Sequence, residues 1–69
     1  MNIGKNIKQL RKERNMTQEQ LAKKIKKDRS VVTRYEDGNV QIPVKVVVKI
    51  AKVLNVPVSS LFVENSQTA

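Results

Sequence analysis

The chain has no cysteine, no histidine and no tryptophan. Without cysteine there is no disulfide and no thiolate metal site, and without histidine the commonest metal ligand and general base is missing too. No metal, cofactor or His-based catalysis is therefore expected. Aromatics are limited to Tyr35 and Phe62, too few for the stacking platforms that hold single-stranded nucleic acids. The longest apolar run is three residues, Val46 to Val48, where a membrane span needs about 20 and a secretory signal needs a core of roughly 7–15. There are only two glycines and no Gly-rich phosphate loop. A chain of 69 residues also leaves little room for a substrate pocket. These absences predict a soluble, cytoplasmic protein that is not an enzyme, with no small-molecule ligand and no membrane partner.

What is abundant is positive charge. The formal net charge is +8, from fourteen Lys/Arg against six Asp/Glu. Residues 1–34 carry the whole excess, eleven basic against three acidic, whereas residues 35–69 balance three against three. A polyanion is the natural partner of so asymmetric a domain. Surface lysines also simply hydrate helices, so charge supports a reading without carrying it. The length allows one small domain. Below roughly 70–80 residues a single core supplies only about 3–5 kcal/mol, and oligomerisation is a common supplement.

Apolar spacing predicts helices throughout. Ile3, Ile7 and Leu10 recur at helical intervals, and with the stripe continued through Arg14 they give a first helix over residues 2–14, with Asn15 suited to a left-handed stop. Thr17-Gln18-Glu19-Gln20 reads as a Thr-x-x-Gln capping box that opens a second helix reaching about Ile25. Lys26-Lys27-Asp28 forms the turn, and Asp28 is the expected N-cap of a third helix over 29–37 that ends at Gly38. Pro43 fits the first turn of a fourth helix reaching Leu54. Its core stripe is expected to be Val44, Val47, Val48, Ala51 and Leu54, with Ile50 at the margin. The β-branched residues of this segment make a strand the local competitor, while lysines at 45, 49 and 52 favour a helix. Asn55 suits another left-handed stop, and residues 57–62 read as a last short helix. The polar tail 64–69 is expected to be disordered.

The third helix is the most informative element. At 100° per residue, Val32, Tyr35 and Glu36 share its inner face, while Ser30, Arg34 and Asp37 lie opposite, flanked by Val31 and Thr33. A helix with an exposed Arg29/Ser30/Thr33/Arg34 edge, placed by a supporting helix, has the form that enters the DNA major groove.

The chain resembles the Cro/repressor-type (Xre-type) helix-turn-helix family from about Ile3 to Phe62. The resemblance rests on Ile7, Leu10-Arg11, Thr17-Gln18-Glu19-Gln20-Leu21-Ala22, Ser30, Val32, Thr33, Tyr35-Glu36, Gly38, Lys49-Ile50-Ala51-Lys52, Leu54 and Val56. It implies an all-α, compact five-helix lambda-repressor-like domain over residues 1–63, with the helix-turn-helix at 18–37. The implied function is that of a transcriptional regulator bound to double-stranded DNA, cytoplasmic and nucleoid-associated. The family usually has Gly and then an apolar residue in the interhelical turn, where this chain has Lys26 and Lys27. Either Lys26 adopts positive φ, at roughly 1–2 kcal/mol relative to Gly, or the turn relaxes.

On this reading, base edges are met by Arg29, Ser30, Val31, Thr33 and Arg34. Arginine can pair bidentately with guanine, Arg34 first and Arg29 second, though Arg29 equally suits phosphate. Phosphate candidates are Thr17, Gln18, Lys26, Lys27, Asn39 and Lys45; the Gln18 role is implied by the resemblance. So is a structural ion pair between Arg11 and the inward-facing Glu36, the alternative being Glu36 at the rim with water. A second apolar stripe, Val46, Ile50 and Val53, together with Val58, Phe62 and Val63, is either a homodimer interface or packing for the chain's own tail. A dimer predicts a near-palindromic operator and, by default, repression through occlusion. Two other readings are a small antitoxin-like or bridging protein-interaction module with secondary DNA contact, and a basic amphipathic membrane binder.

Overall fold

Four α-helices and a closing 3-10 turn make up the computed structural model, which describes residues 3–63: α1 (Ile3–Glu13), α2 (Gln18–Lys24), α3 (Arg29–Asp37), α4 (Val44–Leu54) and the 3-10 turn Val58–Phe62. There is no strand among the described residues. The 44–50 segment is helical despite its β-branched content, because its buried face is worth more than the small propensity penalty. The expected disordered tail, 64–69, lies outside the described residues, as do residues 1 and 2. No helix among the described residues is long and apolar enough to cross a membrane.

The core is built from every element. Ile7 of α1, Leu21 and Ala22 of α2 with Ile25 just beyond it, Val32 and Tyr35 of α3, Val47, Ile50, Ala51 and Leu54 of α4, and Leu61 of the 3-10 turn are all buried. α2 packs on α3, α1 packs on both α3 and the 3-10 turn, and α4 touches α1, α2 and the turn. These three partners explain a correction to α4. Ile50, expected at the margin and counted in the outer stripe, is only 1% exposed, whereas Val44, expected in the core, is 77% exposed. Val44 is the first residue of its helix and overhangs the core end. The buried arc instead centres on Val47, Ile50, Ala51 and Leu54, so Ile50 cannot belong to a surface interface. On α1 the stripe likewise turns: Arg14 is exposed and Arg11 is buried.

All four α-helices stop in the same way. After each, one residue takes positive φ: Asn15 (53°), Lys26 (58°), Gly38 (78°) and Asn55 (59°). In each case the next backbone N–H reaches back six residues, counted inclusively, as in Met16 N to Arg11 O, Lys27 N to Ala22 O, Asn39 N to Arg34 O and Val56 N to Ala51 O. This is the Schellman arrangement, which satisfies carbonyls that a helix end would otherwise orphan. Asparagine and glycine tolerate the conformation; a lysine does so at a cost. Glycine there relieves about 1–2 kcal/mol, less the roughly 0.5–1 kcal/mol of extra backbone entropy that glycine loses on folding. Lys26→Gly is therefore expected to stabilise the domain by about 0.5–1 kcal/mol, a rise of roughly 2–8 °C in Tm for a domain of this size. An unchanged or lower Tm by circular dichroism would show that the turn holds no such strain.

At the helix starts, the Thr17 box is complete. Thr17 Oγ1 accepts from Gln20 N at 3.0 Å, and Thr17 N donates to Gln20 Oε1 at 2.8 Å. Asp28 occupies the N-cap position of α3, but its side chain makes no capping hydrogen bond. Pro43 is likewise the N-cap residue of α4 and not part of its first turn.

Candidate nucleic-acid interface

α3 is held against the rest of the domain by a buried polar chain. Arg11 Nε donates to Glu36 Oε2 at 2.7 Å and Arg11 Nη2 to Glu36 Oε1 at 3.0 Å, while Arg11 Nη1 donates to the carbonyl of Met16 at 2.7 Å. The two side chains are 8% and 1% exposed. A bidentate pair satisfied on every side is the arrangement that makes burying two charges tolerable. No buried side-chain nitrogen or oxygen among the described residues is left without a partner.

The chain extends into α2. Gln18 Nε2 donates to Glu36 Oε1 at 2.9 Å, and Gln18 Oε1 accepts from Thr33 Oγ1 at 2.8 Å. Gln18 thus clips the first residue of α2 to two turns of α3. An amide carries two N–H donors, so one Gln18 hydrogen is left for another acceptor. Thr33 Oγ1 also lies 3.2 Å from the Arg29 carbonyl. Its single proton favours the shorter contact to Gln18, leaving the hydroxyl free to act outwards only as an acceptor.

On the outer side of α3, Arg29, Ser30 and Arg34 are exposed. Thr33 is half-buried by its bond to Gln18, and Val31 is half-buried against the core. Of the residues suggested for phosphate, Thr17, Lys26, Lys27, Asn39 and Lys45 are exposed and Gln18 is half-buried. Lys26 and Lys27 precede Asp28, the N-cap residue of α3, and Gln18 shares a shallow groove with Arg29. Asn39 follows the C-terminal end of α3 and Lys45 sits in the first turn of α4, so they are not part of that groove.

Sequence reasoning passes over two residues that matter to the geometry. Gly4 lies where α1 meets the end of α3: a Cβ there would come within 2.1 Å of the Tyr35 carbonyl oxygen and 3.0 Å of that of Glu36. Asn6 is buried, and its Nδ2 donates to the carbonyls of Leu61 and Val63, both at 2.8 Å. A glycine inside a helical pattern is a usable hint of close approach; the asparagine gives no comparable local signal.

A family model for the helix-turn-helix matches residues 7–61. Among solved structures, the chain is similar to the restriction-modification controller protein C.AhdI from Aeromonas hydrophila. The two share 30% sequence identity over 87% of each chain, with a TM-score of 0.83. Among curated proteins nothing matches. With α2 and α3 braced as described and the family model covering most of its length, the chain belongs to the Xre/Cro-type helix-turn-helix family of DNA-binding transcription regulators.

Proposed function

We infer that this regulator is a repressor that binds a near-palindromic operator as a homodimer and inserts α3 of each subunit into the major groove. The observation that carries this reading is the outer edge of α3. Arg29, Ser30 and Arg34 stand exposed on a helix fixed by the buried Arg11–Glu36 pair and by the half-buried Gln18 and Thr33 bonded to it. Rigid presentation of a few base-reading side chains is what direct readout requires. Arg34, opposite the buried face, is the principal reader of guanine, and Ser30 and Thr33 accept from neighbouring bases. Gln18, Lys26 and Lys27 anchor the backbone. The similarity to a restriction-modification controller supports a regulatory role, with occlusion of a promoter as the simplest action.

For the dimer, Val46, Val53 and Val58 are half-buried against their own core, and Phe62 (39% exposed) and Val63 (53%) are open. With Ile50 excluded, the interface falls to the outer edge of α4 and the residues after it. A two-fold axis there sets the recognition helices one DNA turn apart, about 34–36 Å.

Selection of bound sites from random duplex DNA tests the whole reading. The wild type is expected to enrich inverted half-sites centred about 10–10.5 base pairs apart, each containing guanine. Arg34→Ala should lose the preference at one guanine position, with discrimination there falling by about 1–3 kcal/mol. A pool with no enriched sequence sinks the function. Enrichment of single, unpaired half-sites sinks the dimer, and an unaltered preference in Arg34→Ala sinks the assignment of that residue.

A further inference from the structure

The geometry points to a second contact line for DNA: Lys12 and Lys8 of α1 hold the phosphates of the strand flanking the half-site, lengthening the footprint beyond what α2 and α3 touch. This inference rests on the DNA-binding reading above and adds to it a surface outside the helix-turn-helix.

Lys12 occupies a position shared by two grooves. It lines the groove that also contains Gln18 and Arg29, at the start of the recognition helix. It also lines a second groove, on α1 alone, with Lys8, Gln9 and Lys5. The α1 lysines therefore join the face proposed for DNA at Lys12, in a groove that Glu19 also lines, and leave it along α1. Lys8 and Lys12 are both exposed, and neither pairs with a carboxylate among the described residues. The one acidic residue of α1, Glu13, is turned to other neighbours, lying 3.5 Å from Gln9 Nε2 and 3.9 Å from Arg14 Nη1.

Spacing and charge both favour a phosphate strand as the occupant. Residues four apart on a helix are separated by about 6 Å along its axis. A DNA strand carries one charge per roughly 3.4 Å of axis, so two such lysines can meet nearby phosphates on one strand. Like charges at i and i+4 repel each other mildly in the free helix, and a polyanion relieves that repulsion. An acidic protein surface would meet the same charges, but nothing else on α1 offers it the apolar anchor that protein interfaces use: the exposed face beside the lysines is Gln9 and Glu13.

The test compares wild type with Lys8→Gln/Lys12→Gln on one selected duplex, across salt concentrations. Both sites are exposed, so the fold should be unaffected, and circular dichroism verifies this. The log–log salt slope is expected to shrink by about 0.9 for each lysine in each subunit, with the selected sequence unchanged. Trimming the flanks should weaken wild type and leave the variant nearly unaffected. Lys49→Gln/Lys52→Gln, which removes the same charge from the exposed side of α4, should leave the slope as in wild type, with sedimentation verifying that its oligomeric state is that of wild type. A wild-type slope in the α1 variant overturns the proposal, as does an equal loss in the α4 variant, which would mean that bulk charge alone is at work. If wild type selects no sequence, the repressor reading fails instead. The same slope comparison on random duplex then still decides the α1 strip.

Discussion

Glu36→Leu is expected to unfold a large share of the protein at 37 °C. The substitution leaves the Arg11 guanidinium, 8% exposed, without the carboxylate that takes two of its hydrogen bonds, and strips Gln18 of one partner. Breaking a buried pair by removing one member costs about 3–5 kcal/mol. A single core of this size supplies about the same amount. The companion Arg11→Met/Glu36→Leu removes both charges and should recover most of the loss, because well-packed apolar replacements of buried ion pairs are often neutral or better. Urea denaturation of the two singles and the double gives the coupling energy directly. A single variant that loses less than about 1 kcal/mol would mean the pair is not a structural tie. The double should nevertheless bind its operator more weakly than wild type. Its fold would be intact, but Gln18 would hold α3 by Thr33 alone.

Gly4→Ala should bring the second-largest loss, in a direction opposite to helix propensity. Alanine is the better helix former by about 0.8–1.0 kcal/mol, so an exposed glycine so replaced would stabilise α1. Here the new methyl would sit 2.1 Å from a backbone oxygen of α3, and backbone cannot step aside as a side-chain tip can. α1 must shift away from α3. Overpacking of this kind costs typically about 1–3 kcal/mol, and the displacement is transmitted to the Arg11–Glu36 tie between the same two helices. A fall in Tm together with weaker operator binding is the expected result. A variant as stable as wild type, bound as tightly, would show that α1 can lift without disturbing α3.

The features legible in the sequence are those decided within one turn of chain. The Thr17 box is readable because both of its hydrogen bonds close over three residues. Asn15, Gly38 and Asn55 are readable as stops because left-handed backbone restricts residue type. The inner face of α3 follows from periodicity alone: Val32, Tyr35 and Glu36 are buried together. Asp28 shows the limit even locally, for its residue type fits a cap yet its side chain makes no capping bond. The burial of α4 was beyond periodicity, since whether Ile50 or Val44 is covered depends on three other elements arriving around it. The Gln18–Thr33 clip and the Asn6 contacts span 15 and more than 50 residues, and no local pattern encodes a partner at that separation. The site is therefore readable as a list of exposed residues, but the bracing that makes it rigid is not.

The amide of Asn6 joins the first helix to carbonyls at positions 61 and 63, and Leu61 itself fills the centre of the core. During translation, the earliest helix must wait for almost the last described residues before its polar side chain and its apolar neighbours are closed over. Without residues 61–63, α1 lacks these two acceptors of its buried amide and the apolar cover of Leu61. The seat of α3 thus depends on a clasp between the two ends of the described fold, since α1 packs on both α3 and the 3-10 turn.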